Sequence, residues 1–221
     1  RIMGLTGMPL STMDGKIQPY AHSENLKIIS MQGFLQNQDD AVIWRGPLKI
    51  GVIKQFMTDV DWGALDVLVI DSPPGTGDEP LTVAQFIPDC GAIVVTTPQG
   101  VALADVRKSL NFCRQVGMDV VGIIENMSGY VCPQCGHHAD IFKSGGGEAL
   151  ALEFNVPFLG RMPIDPLVVA AGDDGVSALE HSGAMKAAMT EIVDNILSGA
   201  AETKGEITME KIAVPVVGGM L

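Results

Sequence analysis

Positive charge is scarce in this sequence, which has 14 lysines and arginines against 26 aspartates and glutamates and a formal net charge of −12. Proteins that bind nucleic acids cluster Lys and Arg against the phosphate backbone, and no polybasic stretch occurs here. The sequence also lacks a charged-then-apolar leader and an apolar run long enough to cross a bilayer. We therefore expect a soluble cytoplasmic protein that binds neither nucleic acid nor a membrane.

Aromatic residues are also rare, at 5% of the chain, although 47% of the residues are hydrophobic and 18% are charged. Small aliphatic residues and 26 glycines supply much of the rest. This composition is typical of parallel strands that helices cover on both faces, because such strands are buried on both sides. At 221 residues the chain has the length of one substantial α/β domain.

Cysteine is limited to four residues, and their spacing argues against a disulfide framework. Cys90 and Cys113 stand within apolar stretches, which indicates small buried side chains. Cys132 and Cys135 are separated by two residues in a polar loop. In a cytosolic protein this spacing indicates a metal-binding or redox-active pair rather than a structural bridge.

Short aliphatic strands alternate with helical segments along most of the chain. Helical spacing of apolar residues begins at Gly46-Pro47, where proline suits the first turn. Strands are predicted at Leu26–Met31, Asp66–Ile70, Gly91–Thr97, Asp119–Glu125 and Pro157–Arg161, and further helices at Pro80–Ile87, Val101–Val116, Glu148–Phe154 and Ala184–Leu197. This alternation predicts a mostly parallel sheet with right-handed crossovers and helices on both faces. From Ser198 onward we expect a poorly ordered tail, in which the segment VPVVGG could add an edge strand.

The most informative segment is DVLVIDSPPGTGD, residues 66–78, in which a buried strand ends at Asp71. Ligands bind outside the carboxyl ends of the strands in open parallel sheets, and a carboxylate there can hold Mg²⁺ directly or through water. The glycines that follow let backbone N–H groups approach a phosphate and change conformation. The alternative is a strand that ends in an Asp-capped turn, but the attached PPGTGD favours a nucleotide site.

Five motifs occur in the order in which the Mrp/ApbC family of iron–sulfur cluster carrier ATPases has them: WRGP at 44–47, VIDSPPGTGD at 69–78, TTPQ at 96–99, ENMS at 125–128 and CPQCG at 132–136. From about Arg1 to about Leu197 the sequence resembles this family, whose relatives include MinD and the nitrogenase iron protein. The resemblance implies a three-layer P-loop NTPase fold that works as a homodimer. It also implies that ATP hydrolysis controls the passage of a [4Fe–4S] cluster from scaffold proteins to apo-proteins.

The family's phosphate-binding loop, GxxxxGK followed by Ser or Thr, does not occur in these residues. The segment with the right glycine spacing, residues 46–51, continues with Val-Ile in place of the lysine and the hydroxyl residue. By the resemblance, the loop and a first β-α-β unit would precede Arg1. We therefore expect residues 1–198 to form a P-loop NTPase domain that is incomplete at its N-terminus, followed by a tail over 199–221. We expect no ATP hydrolysis from these residues alone.

The resemblance assigns nucleotide contacts to residues at the predicted strand ends. Asp71 would orient Mg²⁺ and the attacking water, and Gly75, next to Pro74, would sense the γ-phosphate through its backbone N–H. Asn126 could read the adenine edge with its amide, although a side chain that caps a turn is the alternative. The backbone around two later residues would flank the adenine: Pro163 and Asp165.

Cys132 and Cys135 offer two soft thiolates on one turn that Pro133 stiffens. A [4Fe–4S] cluster usually needs four thiolates, and two protomers related by a twofold axis would supply the set. The family resemblance implies this bridging arrangement. Zinc is an alternative, with His137 or His138 completing the site, and a dithiol–disulfide redox pair is a third possibility.

Two other functions are compatible with the sequence. A MinD-like partitioning or regulatory switch would use the same ATP chemistry without a cluster, but it would have no need of paired thiols in this loop. A structural zinc-binding module is the second alternative.

Overall fold

The computed structural model describes residues 2–5, 7–34, 46–203 and 212–218, of which 200–203 and 212–218 are described through their backbone alone. Trp44 and Arg45, half of the WRGP motif, lie outside these residues. The strands are β1 (Ser11–Met13), β2 (Lys16–Gln18), β3 (Tyr20–Ser23), β4 (Leu26–Ile28), β5 (Val67–Ser72), β6 (Gly91–Thr96), β7 (Asp119–Glu125), β8 (Tyr130–Val131), β9 (His138–Ala139), β10 (Phe158–Arg161) and β11 (Ile212–Gly218). The α-helices are α1 (Gly46–Thr58), α2 (Asp78–Phe86), α3 (Gly100–Val116), α4 (Gly146–Phe154), α5 (Pro166–Asp174), α6 (Ala178–His181) and α7 (Gly183–Thr203).

Parallel strands form the central sheet, in the order β10–β7–β6–β11–β5. Within one residue or two at each end, β5, β6, β7 and β10 lie where the aliphatic runs predict them, and helices α1 to α4 and α7 follow their predicted segments. The mostly parallel α/β fold is therefore confirmed. It arises because each strand is an aliphatic run between turn residues, and each crossover is a helix that returns the chain to the same edge.

Within the segment VPVVGG, residues 214–218 belong to a strand that lies inside the sheet and not at its edge. In β11, Ile212 to Val217 pair with Val67 to Ser72 of β5, and Val216 to Gly218 pair with Ile93 to Val95 of β6. Helix α7 likewise continues past residue 198 to Thr203. β11 pairs with the backbone groups of β5 and β6 that face each other. Without it, these groups between the strands would lack hydrogen bonds, which is costly in free energy.

The predicted strand Leu26–Met31 is only partly correct. Residues Leu26 to Ile28 form β4, which pairs antiparallel with β3 in a two-stranded hairpin apart from the central sheet. The aliphatic run is too short to be buried on both faces: the first two residues of β4 are exposed, and a 3₁₀ helix, Met31–Phe34, follows.

Helices cover both faces of the sheet, which gives the expected three layers. On one face, α3 and α4 pack on β6 and β7 through Val94, Val106, Leu110, Ile123 and Leu150. The same face continues to α1 and α2 through Val83, Ala92, Cys113, Ile53 and Leu68. On the other face, α7 packs through Ile192 on Ile93, Ile124 and Leu159. Each fully buried aliphatic side chain contributes about 1.5–3 kcal/mol, so these contacts dominate the stability of the layers.

In the part of the chain that the structure describes, no helix combines the length and the apolar character needed to span a bilayer.

Candidate functional site

The predicted site residues gather along one edge of the sheet. Strands β5, β6, β7 and β10 run parallel, so their carboxyl ends meet at the same edge. Asp71 lies at the end of β5, TTPQ at the end of β6, ENMS at the end of β7, and Pro163 and Asp165 just beyond β10. The structure therefore brings together segments that are separated by up to about ninety residues in the sequence.

Asp71 is exposed at the end of β5, on the same side of the strand as the exposed side chains of Val67 and Val69. Among the described residues its carboxylate has no hydrogen-bond or ion-pair partner. The next residue, Ser72, is buried and fixes the strand end. An unpaired carboxylate held by a rigid strand at this edge is suited to bind a hydrated divalent cation.

Pro74 and Gly75 form an exposed turn between β5 and α2. Gly75 has φ of +104°, and a Cβ built there would touch nothing within 4 Å. Glycine is therefore required by the backbone conformation and not by lack of space. A turn of this kind can change conformation when a phosphate approaches its N–H groups.

The turn is fastened at its far end by an ion pair that the sequence does not reveal. Lys49 of α1 donates a hydrogen bond of 2.7 Å to Glu79 in the first turn of α2. The hydrogen bond from Lys49 lowers the pKa of Glu79. This ion pair connects the start of α2, and with it the turn at residues 73–77, to α1. Lys49 and Glu79 are thirty residues apart, so local sequence spacing does not predict their contact.

The side chain of Asn126 caps the turn after β7, which is the alternative to adenine recognition. Its Oδ1 accepts a hydrogen bond of 2.8 Å from the N–H of Met127, which has a left-handed φ of +57°. Its own N–H donates to the carbonyl of Thr96, joining the ends of β6 and β7. Asn126 therefore stabilises the turn after β7, and an adenine contact by its amide nitrogen stays a prediction.

Asp165 caps α5. Its Oδ1 accepts a hydrogen bond of 2.9 Å from the N–H of Leu167, and its Oδ2 accepts one from the hydroxyl of Ser182. Pro166 follows at the first helical position, as such caps favour. Because the carboxylate is already engaged, only the backbone around Pro163 and Asp165 is available to flank a base, which is the role that the resemblance implies.

Cys132 and Cys135 lie at the tip of a short hairpin formed by β8 and β9. The N–H of Cys132 donates to the carbonyl of His137 at 2.9 Å, and the N–H of Gly136 donates to the carbonyl of Cys132 at 2.8 Å. Gly136 has φ of +69°, which closes the turn. Cys135 is exposed and Cys132 is half-buried, and both are free thiols. The hairpin thus presents two thiols side by side to solvent.

The hairpin also favours the thiolate form of one of these residues. The backbone N–H of Cys135, followed by that of Gln134 and the thiol of Cys135, lowers the pKa of Cys132. Thiolates are the form that binds soft metals. In the described ranges, no three His, Cys, Asp or Glu side chains are grouped as a metal site. His138 instead lies against Gly129, where an added Cβ would meet its ring at 3.0 Å.

The other two cysteines are buried in the core, Cys113 within α3 and Cys90 just before β6, and the prediction that they are small buried side chains is confirmed. Burial raises the pKa of Cys113 to about 11, and it also raises the pKa of Cys90. Neither is available as a metal ligand.

Glu125, the last residue of β7, is the functional candidate that the sequence reading leaves without a role. Its side chain is fully buried. Burial raises its pKa, but hydrogen bonds from the hydroxyl of Ser128 and the N–H groups of Gly147 and Gly145, with the charge of Arg161, outweigh this and lower the pKa overall. The sequence does contain a signal for such a role, because Glu125 ends the apolar run Gly-Ile-Ile and a charge that is buried there needs partners.

Comparisons with known proteins show which family this chain resembles. The family model described as "ParA: NUBPL iron-transfer P-loop NTPase" matches residues 1–197. The cytosolic Fe-S cluster assembly factor CFD1 of Kluyveromyces lactis is 46% identical over 195 residues, covering 84% of this chain and 69% of that protein. The cytosolic Fe-S cluster assembly factor NUBP2 homolog of Trichoplax adhaerens is 50% identical over 185 residues, covering 81% and 70%.

A solved structure is also similar. The nucleotide-binding protein of Archaeoglobus fulgidus, in complex with ADP and with cobalt, superposes with a TM-score of 0.69 and 33% identity. The match covers 84% of this chain and 71% of that chain.

Proposed function

The chain belongs to the family of iron-transfer P-loop NTPases that the NUBPL model describes, and from this premise we propose that it is a cytosolic carrier of iron–sulfur clusters. Two copies of the chain would hold one [4Fe–4S] cluster between them, receive it from scaffold proteins and pass it to apo-proteins. Binding and hydrolysis of ATP would control the association of the two copies.

The observation that carries the proposal is the pair of free thiols at the hairpin tip, of which Cys135 is exposed and Cys132 is half-buried. Cys132 and Cys135 are free, accessible and placed on one turn, and the pKa of Cys132 is lowered by neighbouring N–H groups. The same N–H groups would stabilise sulfur that is bound to iron, because hydrogen bonds to the sulfurs tune such clusters. A cargo that must be released is suited to an exposed site and not to a buried one.

The ligand count supports a cluster shared by two copies. Each chain offers two accessible thiols, while Cys90 and Cys113 are buried. Four thiolates are the usual ligand set of a [4Fe–4S] cluster, and a twofold axis through the hairpin tips would supply them. Zinc bound within one chain would need a third and a fourth ligand, for which His137 and His138 are the nearest in sequence.

The nucleotide part of the proposal rests on Asp71 and Gly75. Asp71 would hold Mg²⁺, since its carboxylate is exposed at the carboxyl edge and unpaired among the described residues. The cation would neutralise charge on the phosphates. Gly75 would respond to the γ-phosphate through its N–H, and the side-chain amide of Asn126 would read the adenine edge. The backbone around Pro163 and Asp165 would flank the adenine.

Anaerobic reconstitution with iron and sulfide tests the cluster proposal. We expect close to one [4Fe–4S] cluster per two chains and a shift toward the dimer on a sizing column. Cys132→Ala should abolish both effects, because three thiolates would then remain at best in any mixed pair and two in the variant alone.

The matched controls are His137→Ala and His138→Ala, which remove the ligands that only the zinc alternative uses. Both should leave cluster uptake and dimer formation largely intact. Iron binding that survives Cys132→Ala, or that depends on either histidine, would count against a cluster shared through the thiols.

The alternative of a MinD-like switch without a cluster is less favoured. A switch would use the nucleotide edge of the sheet in the same way, but it gives no reason for two accessible thiols at the tip of a hairpin.

A further inference from the structure

The loop that carries the two cysteines begins and ends beside one side chain, that of Glu125. It leaves after Glu125 at the end of β7 and re-enters at Gly145, just before α4. Ser128, near its start, donates a hydrogen bond of 2.5 Å from its hydroxyl to Oε1 of Glu125. At its end, the N–H of Gly145 donates to the same oxygen at 2.9 Å, and the N–H of Gly147 donates to Oε2 at 2.5 Å.

A carboxylate is costly to bury at this position, so its hydrogen bonds need an explanation. Glu125 is 0% exposed and follows Ile123 and Ile124 in the strand, where an aliphatic residue would meet no desolvation cost. A buried charge is retained only when it is paired and hydrogen-bonded, and here the donors come from both ends of the loop. Arg161 of β10 adds an ion pair at 3.4 Å.

The return end of the loop is built to approach this side chain. Gly147 lies tightly against this side chain, because an added Cβ would be 3.0 Å from Cβ of Glu125 and 3.2 Å from its Oε2. Gly145 has a left-handed φ of +83°, which aims its N–H at the carboxylate. Two of the three glycines in the segment SGGG, residues 144–147, thus donate hydrogen bonds to an internal carboxylate.

The two ends of the loop are held by different means. At the start, the main chain also pairs with the segment after β10: Ser128 N–H donates to the carbonyl of Met162, and Ile164 N–H donates to the carbonyl of Gly129. At the return, the hydrogen bonds that join Gly145 and Gly147 to the strand end go to Glu125. Among the described residues, the carboxylate is therefore the hydrogen-bonded link that joins one end of the loop to the other.

We propose that Glu125 is a positioning residue for the thiol hairpin: by holding Ser128, Gly145 and Gly147 together, it fixes the direction in which Cys132 and Cys135 project from the sheet. The consequence of this positioning rests on the proposed function, in which four sulfurs from two copies must meet in one geometry. Metal sites tolerate displacements of about 0.5 Å, so a hairpin that pivots at its base would not hold a shared cluster.

The test compares Glu125→Gln with Glu148→Gln in the full chain. Glutamine keeps the shape of Glu125 but brings an NH₂ group against N–H donors. Glu148 is exposed and bonds the same Arg161, and within the described ranges its carboxylate makes no hydrogen bond to either end of the loop. Hydrogen exchange and alkylation rates of Cys132 and Cys135 are measured first, without metal. Iron and sulfide uptake is measured second.

We expect hydrogen exchange across residues 126–147 to accelerate about tenfold or more in Glu125→Gln, the effect of losing charge-assisted bonds, with altered alkylation of both thiols. The absorption of the reconstituted cluster should fall by a similar factor. Glu148→Gln should match the parent in every measurement, and exchange in α3 should be unchanged in both variants.

Parent-like exchange and alkylation in Glu125→Gln would overturn the inference. If the parent itself takes up no cluster, the proposed function fails, while the metal-free measurements still decide the positioning role. If Glu125→Gln loses its circular dichroism signal, Ser128→Ala replaces it, because this change removes one donor and leaves the carboxylate with Gly145, Gly147 and Arg161. Faster exchange in residues 126–147 would then support the inference, and parent-like exchange would overturn it.

Discussion

Among single residues, the four cysteines differ most clearly in their surroundings, and their reactivity should follow. Burial raises the pKa of Cys113 to about 11, so at pH 8 about one molecule in a thousand carries that thiolate. The N–H of Cys135 lowers the pKa of Cys132. Iodoacetamide at pH 8 should therefore label Cys132 and Cys135 and spare Cys90 and Cys113, as read from peptide mass spectrometry.

The control for this labelling is the chain unfolded in urea, in which all four thiols should react at similar rates. In the folded chain, labelling of Cys132 should also persist to lower pH than in the unfolded chain, because a lowered pKa keeps the thiolate at lower pH. Equal pH midpoints in the two states would show that the hairpin does not stabilise the thiolate.

Asp71 is the single residue on which the magnesium site depends. In a protein that carries a GxxxxGKS loop before residue 1, Asp71→Asn should lower ATP turnover at least tenfold or so, since an amide is a poor ligand for Mg²⁺. Because Asp71 is exposed, the free energy of unfolding should change by less than about 0.5 kcal/mol. Turnover is measured as Mg²⁺-dependent phosphate release.

Asp119→Asn is the matched control for Asp71→Asn, since it makes the same chemical change on an exposed residue at the opposite end of the sheet, where β7 begins. It should leave turnover unchanged. Turnover of Asp71→Asn within about twofold of the parent, or about 0.4 kcal/mol, would remove Asp71 from the metal site.

Among the elements, α3 and α4 show how one face of the sheet is stabilised. Leu110 of α3 is 1% exposed between the helices and the sheet, whereas Leu152 of α4 is 84% exposed. Leu110→Ala should lower the free energy of unfolding by about 2–5 kcal/mol, and Leu152→Ala by less than about 0.5 kcal/mol. Urea unfolding measures both, and equal losses would mean that the packing of α3 is wrongly placed.

The elements also show what local patterns can predict. Strands β5, β6 and β7 and helix α3 can be predicted from the sequence, because the spacing of apolar residues that marks each element lies within the element itself. Helix α5 is not predicted although Asp165 and Pro166 signal its start, because its apolar residues, 166–171, form one continuous run without a clear helical period. The interior position of β11 could not be read at all, since it depends on pairing with strands more than a hundred residues away.

At the scale of the whole molecule, the sequence predicts which residues come to the site more reliably than what each of them contacts. Parallel alternation alone brings Asp71, Asn126 and Asp165 to one edge. The contacts of these side chains cannot be predicted in the same way, because the groups involved meet only after the strands assemble. Examples are the cap by Asp165, the turn hydrogen bond of Asn126 and the contacts of Glu125 with Gly145 and Gly147. The division of the chain into a domain over 1–198 and a tail over 199–221 stays a prediction.

Two copies of the chain sharing one cluster is the central claim at this scale, and native mass spectrometry of the anaerobically reconstituted protein tests it most directly. The account predicts a species with the mass of two chains plus four iron and four sulfide ions, and predicts that Cys132→Ala and Cys135→Ala prevent its formation. A single chain that carries the whole cluster, or a cluster-free dimer accompanied by iron bound to single chains, would contradict it.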